Sequence, residues 1–281
     1  MSKQRYTPAM SFTFASAPLA EIIVEVKWSD PSAFTFPGAP VQMSMVQPSN
    51  SVDEFFMRFG GVAYSAGFKQ AERLVPPGFP SMVGQVVYRY RPPADFENEL
   101  ARSALWQVGP GVFTANAVPP YKSWTEFSPL VKAGVEALIE TRPERERASD
   151  FTSVSLRYID AFTDEFRGEL THAQLIEALG FKVEIPVALQ KVLRAGEAPQ
   201  HVIQFTMPVE NNMSMAVSIG RGQFNGTAAL IMSTAITTDG AVNPNVDEVM
   251  GRLNTARNMI HDSFVELTSG LHSIMKPTET D

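Results

Sequence analysis

The strongest constraint in the chain is a repeated alternation near its C-terminal end. Met213, Met215, Val217 and Ile219 are apolar at every second position, and residues 227–237 alternate again. Period two with one polar side means half-buried strands. Between them Gly220-Arg221-Gly222-Gln223-Phe224-Asn225-Gly226 ends on Asn-Gly, the pair that best tolerates the positive φ of a tight hairpin. Behind Asn243-Pro244-Asn245 comes an apolar stripe from Val246 through Leu253, Ile260 and Leu267 to Ile274, at three-and-four spacing. It predicts one helix over 245–275, about 45 Å long at the α-helical rise. A hairpin followed by such a helix implies an α+β fold: mostly antiparallel sheet, packed by helices, with a long C-terminal amphipathic helix.

Earlier segments repeat this grammar. Residues 18–28 place Ala20, Ile22, Val24, Val26 and Trp28 on one face and Glu21, Glu25 and Lys27 on the other. Residues 30–50 hold five Pro or Gly breakers and read as an irregular crossing; Phe55, Phe56 and Phe59 then suit a short helix. Strands are expected over 83–91 and 151–162, with a third over 104–118 that turns at Gly109-Pro110-Gly111. Ser123-Trp124-Thr125-Glu126 is a helix-start pattern, and Phe127, Leu130, Val131, Val135 and Leu138 recur behind it. Thr171 to Gln174 is a second helix start, and Pro186 suits the first turn of a short helix. In each half, strands precede a long helix. The charged run 141–150 reads as a solvated connection and divides the chain into halves, 1–145 and 146–281, which can equally be one intimately packed unit.

Several function classes lose their footing. The chain has 281 residues and no cysteine, which removes thiol nucleophiles, thiolate metal sites and disulfides together. The net charge of −7 disfavours nucleic acid and anionic membranes, although Tyr88-Arg89-Tyr90-Arg91 and the arginines at 142, 145 and 147 offer local basic character. No run approaches the roughly 20 apolar residues of a membrane span, and the N-terminal stretch is too broken for a signal peptide. The Gly220–Gly226 run fails as a dinucleotide loop, because a strand and not a helix follows it. His172, His201, His261 and His272 have no metal-chelating spacing, and no Ser sits in a nucleophile elbow. Neither a catalytic set, a metal site nor a cofactor is expected.

What remains is a ligand-binding candidate. Asp160 falls in the apolar register of its strand, where a carboxylate is costly unless paired. Arg157 points to the opposite face, and Tyr121 and Trp124 flank a helix start. Arg89, Tyr121, Trp124, Arg157 and Asp160 form the candidate set, with the arginines suited to an anionic group.

Three segments, Pro18-Leu19-Ala20-Glu21, Tyr121 with Trp124 and Phe127, and Arg157-Tyr158-Ile159-Asp160, carry a resemblance. The chain resembles a sporadically distributed bacterial family of uncharacterised proteins of about this length. Its motifs are a P-L-x-E strand, a Y-x-x-W-x-x-F helix start and an R-Y-I-N strand; here Asp160 replaces the usual asparagine. The resemblance implies no activity or cofactor, and its scattered distribution implies accessory or defence cassettes. The resulting expectation is a non-enzymatic cytosolic protein that binds a protein partner, as a possible homodimer, through a sheet face or the long helix. The alternatives are a small-anion-binding protein or enzyme with a site near Arg89, Tyr121, Arg157 and Asp160, and, more weakly, nucleic-acid binding.

Overall fold

A computed structural model describes residues 11–28, 34–35, 44–46, 50–94, 102–121, 123–194 and 197–280. The expected N-terminal pattern before residue 11 and most of the crossing at 30–50 lie outside them.

In chain order the elements are β1 (Ser11–Phe14), β2 (Leu19–Trp28), β3 (Phe34–Thr35), β4 (Ser44–Val46), α1 (Asn50–Ser65), β5 (Gln70–Arg73), β6 (Ser81–Met82), β7 (Tyr88–Arg91), β8 (Ala104–Gly109) and β9 (Val112–Ala117). They continue with α2 (Trp124–Thr141), α3 (Glu144–Arg147), β10 (Phe151–Phe162), α4 (Asp164–Arg167), α5 (His172–Ala178), α6 (Val187–Gln190) and β11 (Ile203–Val209). β12 (Met213–Phe224), β13 (Thr227–Thr238), α7 (Val246–Leu267), α8 (His272–Met275) and β14 (Pro277–Thr280) complete the described chain. The fold is α+β. Nine strands form one antiparallel sheet in the order β11-β12-β13-β10-β2-β9-β8-β7-β5, while β1 pairs with β14 as a separate ribbon.

From its centre outward the sheet follows the same path in both directions. β2 is flanked by the meander β9-β8-β7 and β10 by β13-β12-β11, and α2 and α7 follow the respective meanders. β2 and β10 pair antiparallel with Val24 opposite Leu156, so the sheet is continuous across the middle of the chain. The strand-then-helix echo in the sequence is therefore a topological repeat.

Directly opposed residues share a face. Ile22, Val24 and Val26, with Phe113, Ala115, Trp106, Leu156, Ile236 and Val217, form the buried face. α1, α2 and α7 cover it with Phe55, Phe59, Val131, Leu138, Val249 and Leu253. The other face is largely polar, with a small apolar cluster around Ala161, Ala229, Ile159 and Ile231. A hydrogen-bonded chain runs across it: Arg89 Nε donates to Gln107 Oε1, Gln107 Nε2 to Thr114 Oγ1, Thr114 Oγ1 to Asn116 Oδ1, and Asn116 Nδ2 to Glu21 Oε1. The β12–β13 hairpin turns at Asn225 and Gly226, both at positive φ.

Several expectations need correction. The strand expected over 83–91 is confined to β7, Tyr88–Arg91, with Gly84 at positive φ before it. The single helix over 245–275 ends at Leu267, and a 3-10 turn at Ser269–Leu271 separates it from α8. Thr268 is fully buried and its hydroxyl donates to the carbonyl of Phe264 at 2.7 Å. Gly270 follows against the carbonyl of Ala178, where an added Cβ would stand 3.0 Å away. The charged run 141–150 is not simply solvated, because Arg142 and Glu146 are buried. Among the described residues no helix is long and apolar enough to cross a membrane.

Candidate functional site

At one end of the β2–β10 pair the helix-covered layer is hollow. A cavity of about 900 Å³ opens there between the β1–β14 ribbon, the start of α2, the end of β10 and the second half of α7. A register irregularity after Ile159 sets Leu19 opposite Asp160, and both line the cavity. The ribbon contributes Phe12 and Phe14, and the ring of Phe14 meets Phe264 edge-on at 5.6 Å. The approach to α2 contributes Pro119, Pro120 and Tyr121, with a cis bond between the two prolines.

Local sequence explains how this wall is held. Ser123 Oγ accepts from the Glu126 amide and caps α2. Tyr121 and Trp124 both pack against Phe127, with ring centroids 5.8 and 6.1 Å apart. Trp124 Nε1 donates to Asn254 Oδ1 at 2.7 Å and so ties the start of α2 to α7. The Tyr121 and Tyr158 hydroxyls lie 3.4 Å apart.

Asp160 is the chemical centre of the cavity. It is 3% exposed, it lies within β10 and not beyond its end, and its carboxyl accepts no hydrogen bond among the described residues. Burial alone pushes its pKa up to about 7. Burial pushes the phenols of Tyr121 and Tyr158 upward as well, the latter to about 12. His261 is held down to about 4, first by burial and then by neighbouring Arg257. It is therefore neutral near pH 7, and its Nε2 accepts from the Phe12 amide at 3.3 Å. Arg257 donates to Asn258 Oδ1 at 3.2 Å and makes no ion pair with a described residue. The site thus combines aromatic walls, a buried carboxyl, two hydroxyls and a guanidinium. Among the described residues no three His, Asp or Glu side chains gather as metal ligands.

Of the residues singled out from sequence, Tyr121, Trp124 and Asp160 meet in this cavity. Arg89 and Arg157 do not reach it. Arg89 bonds Gln107 and Glu72 on the polar sheet face, and Arg157 is exposed on that face. The guanidinium at the cavity belongs to Arg257, which sequence reasoning missed together with His261. The sequence carries only a weak sign of them: 257, 260, 261 and 264 are spaced along one helical flank, and that flank carries polar and apolar side chains together. Arg142, one of the arginines offered as a phosphate contact, is buried and cannot serve as one. No family model matches the chain, and no curated protein matches it either.

Proposed function

We propose that the protein binds a small, largely apolar molecule in this cavity and holds its polar group on Asp160. The observation that carries the reading is a buried carboxyl, without a partner among the described residues, facing a 900 Å³ space. Burying a polar group without a hydrogen bond costs about 1–3 kcal/mol in proteins, and a bound ligand removes that cost. Aromatic walls with a few convergent polar groups suit a small organic ligand. The C-terminal stripe, which first suggested a partner surface, packs inside the molecule: Val249, Leu253, Ala256 and Ile260 are buried against the sheet. Titration with the neutral fluorophore N-phenylnaphthylamine tests the reading. Saturable enhancement that is lost in Ile260→Trp, which fills the cavity, is expected. No saturation in the wild type, or equal binding by a folded Ile260→Trp variant, overturns it.

A second reading, association with a protein partner or a second copy, rests on a different surface. Val187, Leu189, Val192 and Val202 are exposed in the part of the chain that precedes β11, an edge strand of the large sheet. Sedimentation velocity across a range of concentrations tests self-association. A monomer at every concentration, unchanged by Leu189→Ser with Val192→Ser, removes the homodimer.

A further inference from the structure

We infer that the occupant of the cavity is an organic cation, an apolar or aromatic body carrying a protonated amine, with the ammonium group seated on Asp160. This deepens the small-molecule reading and rests on it. Two observations point to positive charge. First, Asp160 is the deepest charged group at the site, and no described residue donates to it or pairs with it. An ammonium restores the electrostatic partner that folding removed from the carboxylate, whereas an alcohol supplies one neutral hydrogen bond. Second, the surrounding walls are rich in aromatic rings: Phe12, Phe14, Tyr121, Trp124, Tyr158 and Phe264 all line the space. Ring faces attract cations and do nothing comparable for anions.

Arg257 is the opposing consideration, since it lines the same cavity. It forms no ion pair with Asp160, and burial is the sole cause of the shift at Asp160, so the two charges do not neutralise each other. The guanidinium is only half-buried on α7 and has Asn258 as an acceptor, while the carboxyl has no donor among the described residues. An anionic ligand would leave Asp160 unpaired and add a like charge beside it. Neutral His261 offers no competing cation.

Three probes with one body separate the outcomes: naphthylmethylamine, naphthylmethanol and naphthoate, each titrated calorimetrically near pH 8 against wild type and Asp160→Asn. The expected result is tightest binding of the amine, by about ten- to hundred-fold over the alcohol. That preference should disappear in Asp160→Asn while alcohol binding persists. Equal binding of amine and alcohol, or an amine preference that survives Asp160→Asn, overturns the cation assignment and leaves the cavity reading standing. Tightest binding of naphthoate, abolished by Arg257→Gln, also overturns it and makes the ligand an anion. If none of the three binds and N-phenylnaphthylamine does not saturate, both readings fall. Melting curves with and without the amine show whether Asp160→Asn is folded. Should it not be, Asp160→Glu replaces it, with a weakened but surviving amine preference expected; complete retention of wild-type affinity would again count against seating on Asp160.

Discussion

The two ends of the β2–β10 pair occupy corresponding places in the repeat and are treated in opposite ways. At one end Trp28 lies opposite Phe151, and the Arg142 guanidinium sits 5.7 Å from the first ring and 4.7 Å from the second. Trp28 Nε1 donates to Glu146 Oε2 at 2.7 Å, and Arg142 Nη2 donates to the carbonyls of Glu146, Arg147 and Ser149. At the other end Leu19 lies opposite Asp160, and a cavity takes the place of the plug. Both ends bury a charge. Arg142 Nη2 is satisfied by backbone carbonyls, while its Nε and Nη1 lie buried beside the two rings without an acceptor among the described residues; the aspartate is satisfied by nothing in the described protein. The same frame is thus closed by its own residues at one end and left open at the other.

Removing the plug should produce the largest effect. Arg142→Ala takes away three carbonyl contacts and two ring contacts from a fully buried site. We expect a loss of about 3–5 kcal/mol, read by urea unfolding. A loss below about 1 kcal/mol would mean that the plug is ornamental and the contrast between the ends has no energetic content.

The open end should respond in the opposite direction. Asp160 has a folded-state pKa of about 7 against an ordinary value of 3.8. The native chain therefore holds the proton more tightly than the unfolded chain between about pH 4 and 7, and wild-type stability falls as pH rises through that window. Asp160→Asn removes the cost of ionisation. It should be the more stable protein at pH 8, by at most about 4 kcal/mol, with the gain shrinking below about 1 kcal/mol at pH 4. His261 acts in the reverse sense, losing stability as pH falls from its ordinary 6.5 toward 4, but both proteins contain it and it largely cancels in the difference. Melting temperatures at the two pH values decide the matter; a destabilised Asp160→Asn at pH 8 would mean that the carboxylate has a partner.

The same contrast should be visible in core truncations. Leu138 is fully buried near the plugged end of α2, and Ile260 borders the cavity on α7. Leu→Ala in a closed core costs about 2–5 kcal/mol, rising with the cavity left behind. Ile260 already lacks neighbours on one side. Ile260→Ala should therefore be milder than Leu138→Ala by about 1–2 kcal/mol in matched urea curves. Equal losses would show that the cavity closes around its walls in solution.

Which of these features was legible in the sequence follows from how local each cause is. The β12–β13 hairpin and the starts of α2 and α5 are written in neighbouring residues: Asn225-Gly226, Ser123 accepting from Glu126, and Thr171 exchanging bonds with Gln174. The end of α7 is not, because the break depends on Gly270 meeting Ala178, distant in sequence. Charge misled at 141–150, where Arg142 and Glu146 look solvated in sequence and become a plug only once Trp28 and Phe151 are brought together. Asp160 was visible because it broke the apolar register of its own strand. Arg257 and His261 were not, because a polar residue on a helix flank looks ordinary until the facing wall is known.

The smallest effect tests whether the hollow end is built for binding or merely underpacked. The Tyr121 and Tyr158 hydroxyls are 3.4 Å apart, a long contact, and both line the cavity. Tyr121→Phe keeps the ring that packs on Phe127 and removes only the hydroxyl. A neutral hydrogen bond contributes about 0.5–1.5 kcal/mol net, and one this long belongs at the bottom of that range. The melting temperature should therefore barely move. Tyr90→Phe is the reference for a hydroxyl with a structural duty, since Tyr90 donates to the Phe56 carbonyl at 3.1 Å in the buried core. It should cost more, about 1 kcal/mol, because a buried hydrogen bond of ordinary length is lost. If Tyr121→Phe instead destabilises as much as Tyr90→Phe, the Tyr121–Tyr158 contact is a strut of the fold. The polar groups of the cavity would then have a structural claim comparable to that of the plug at the opposite end.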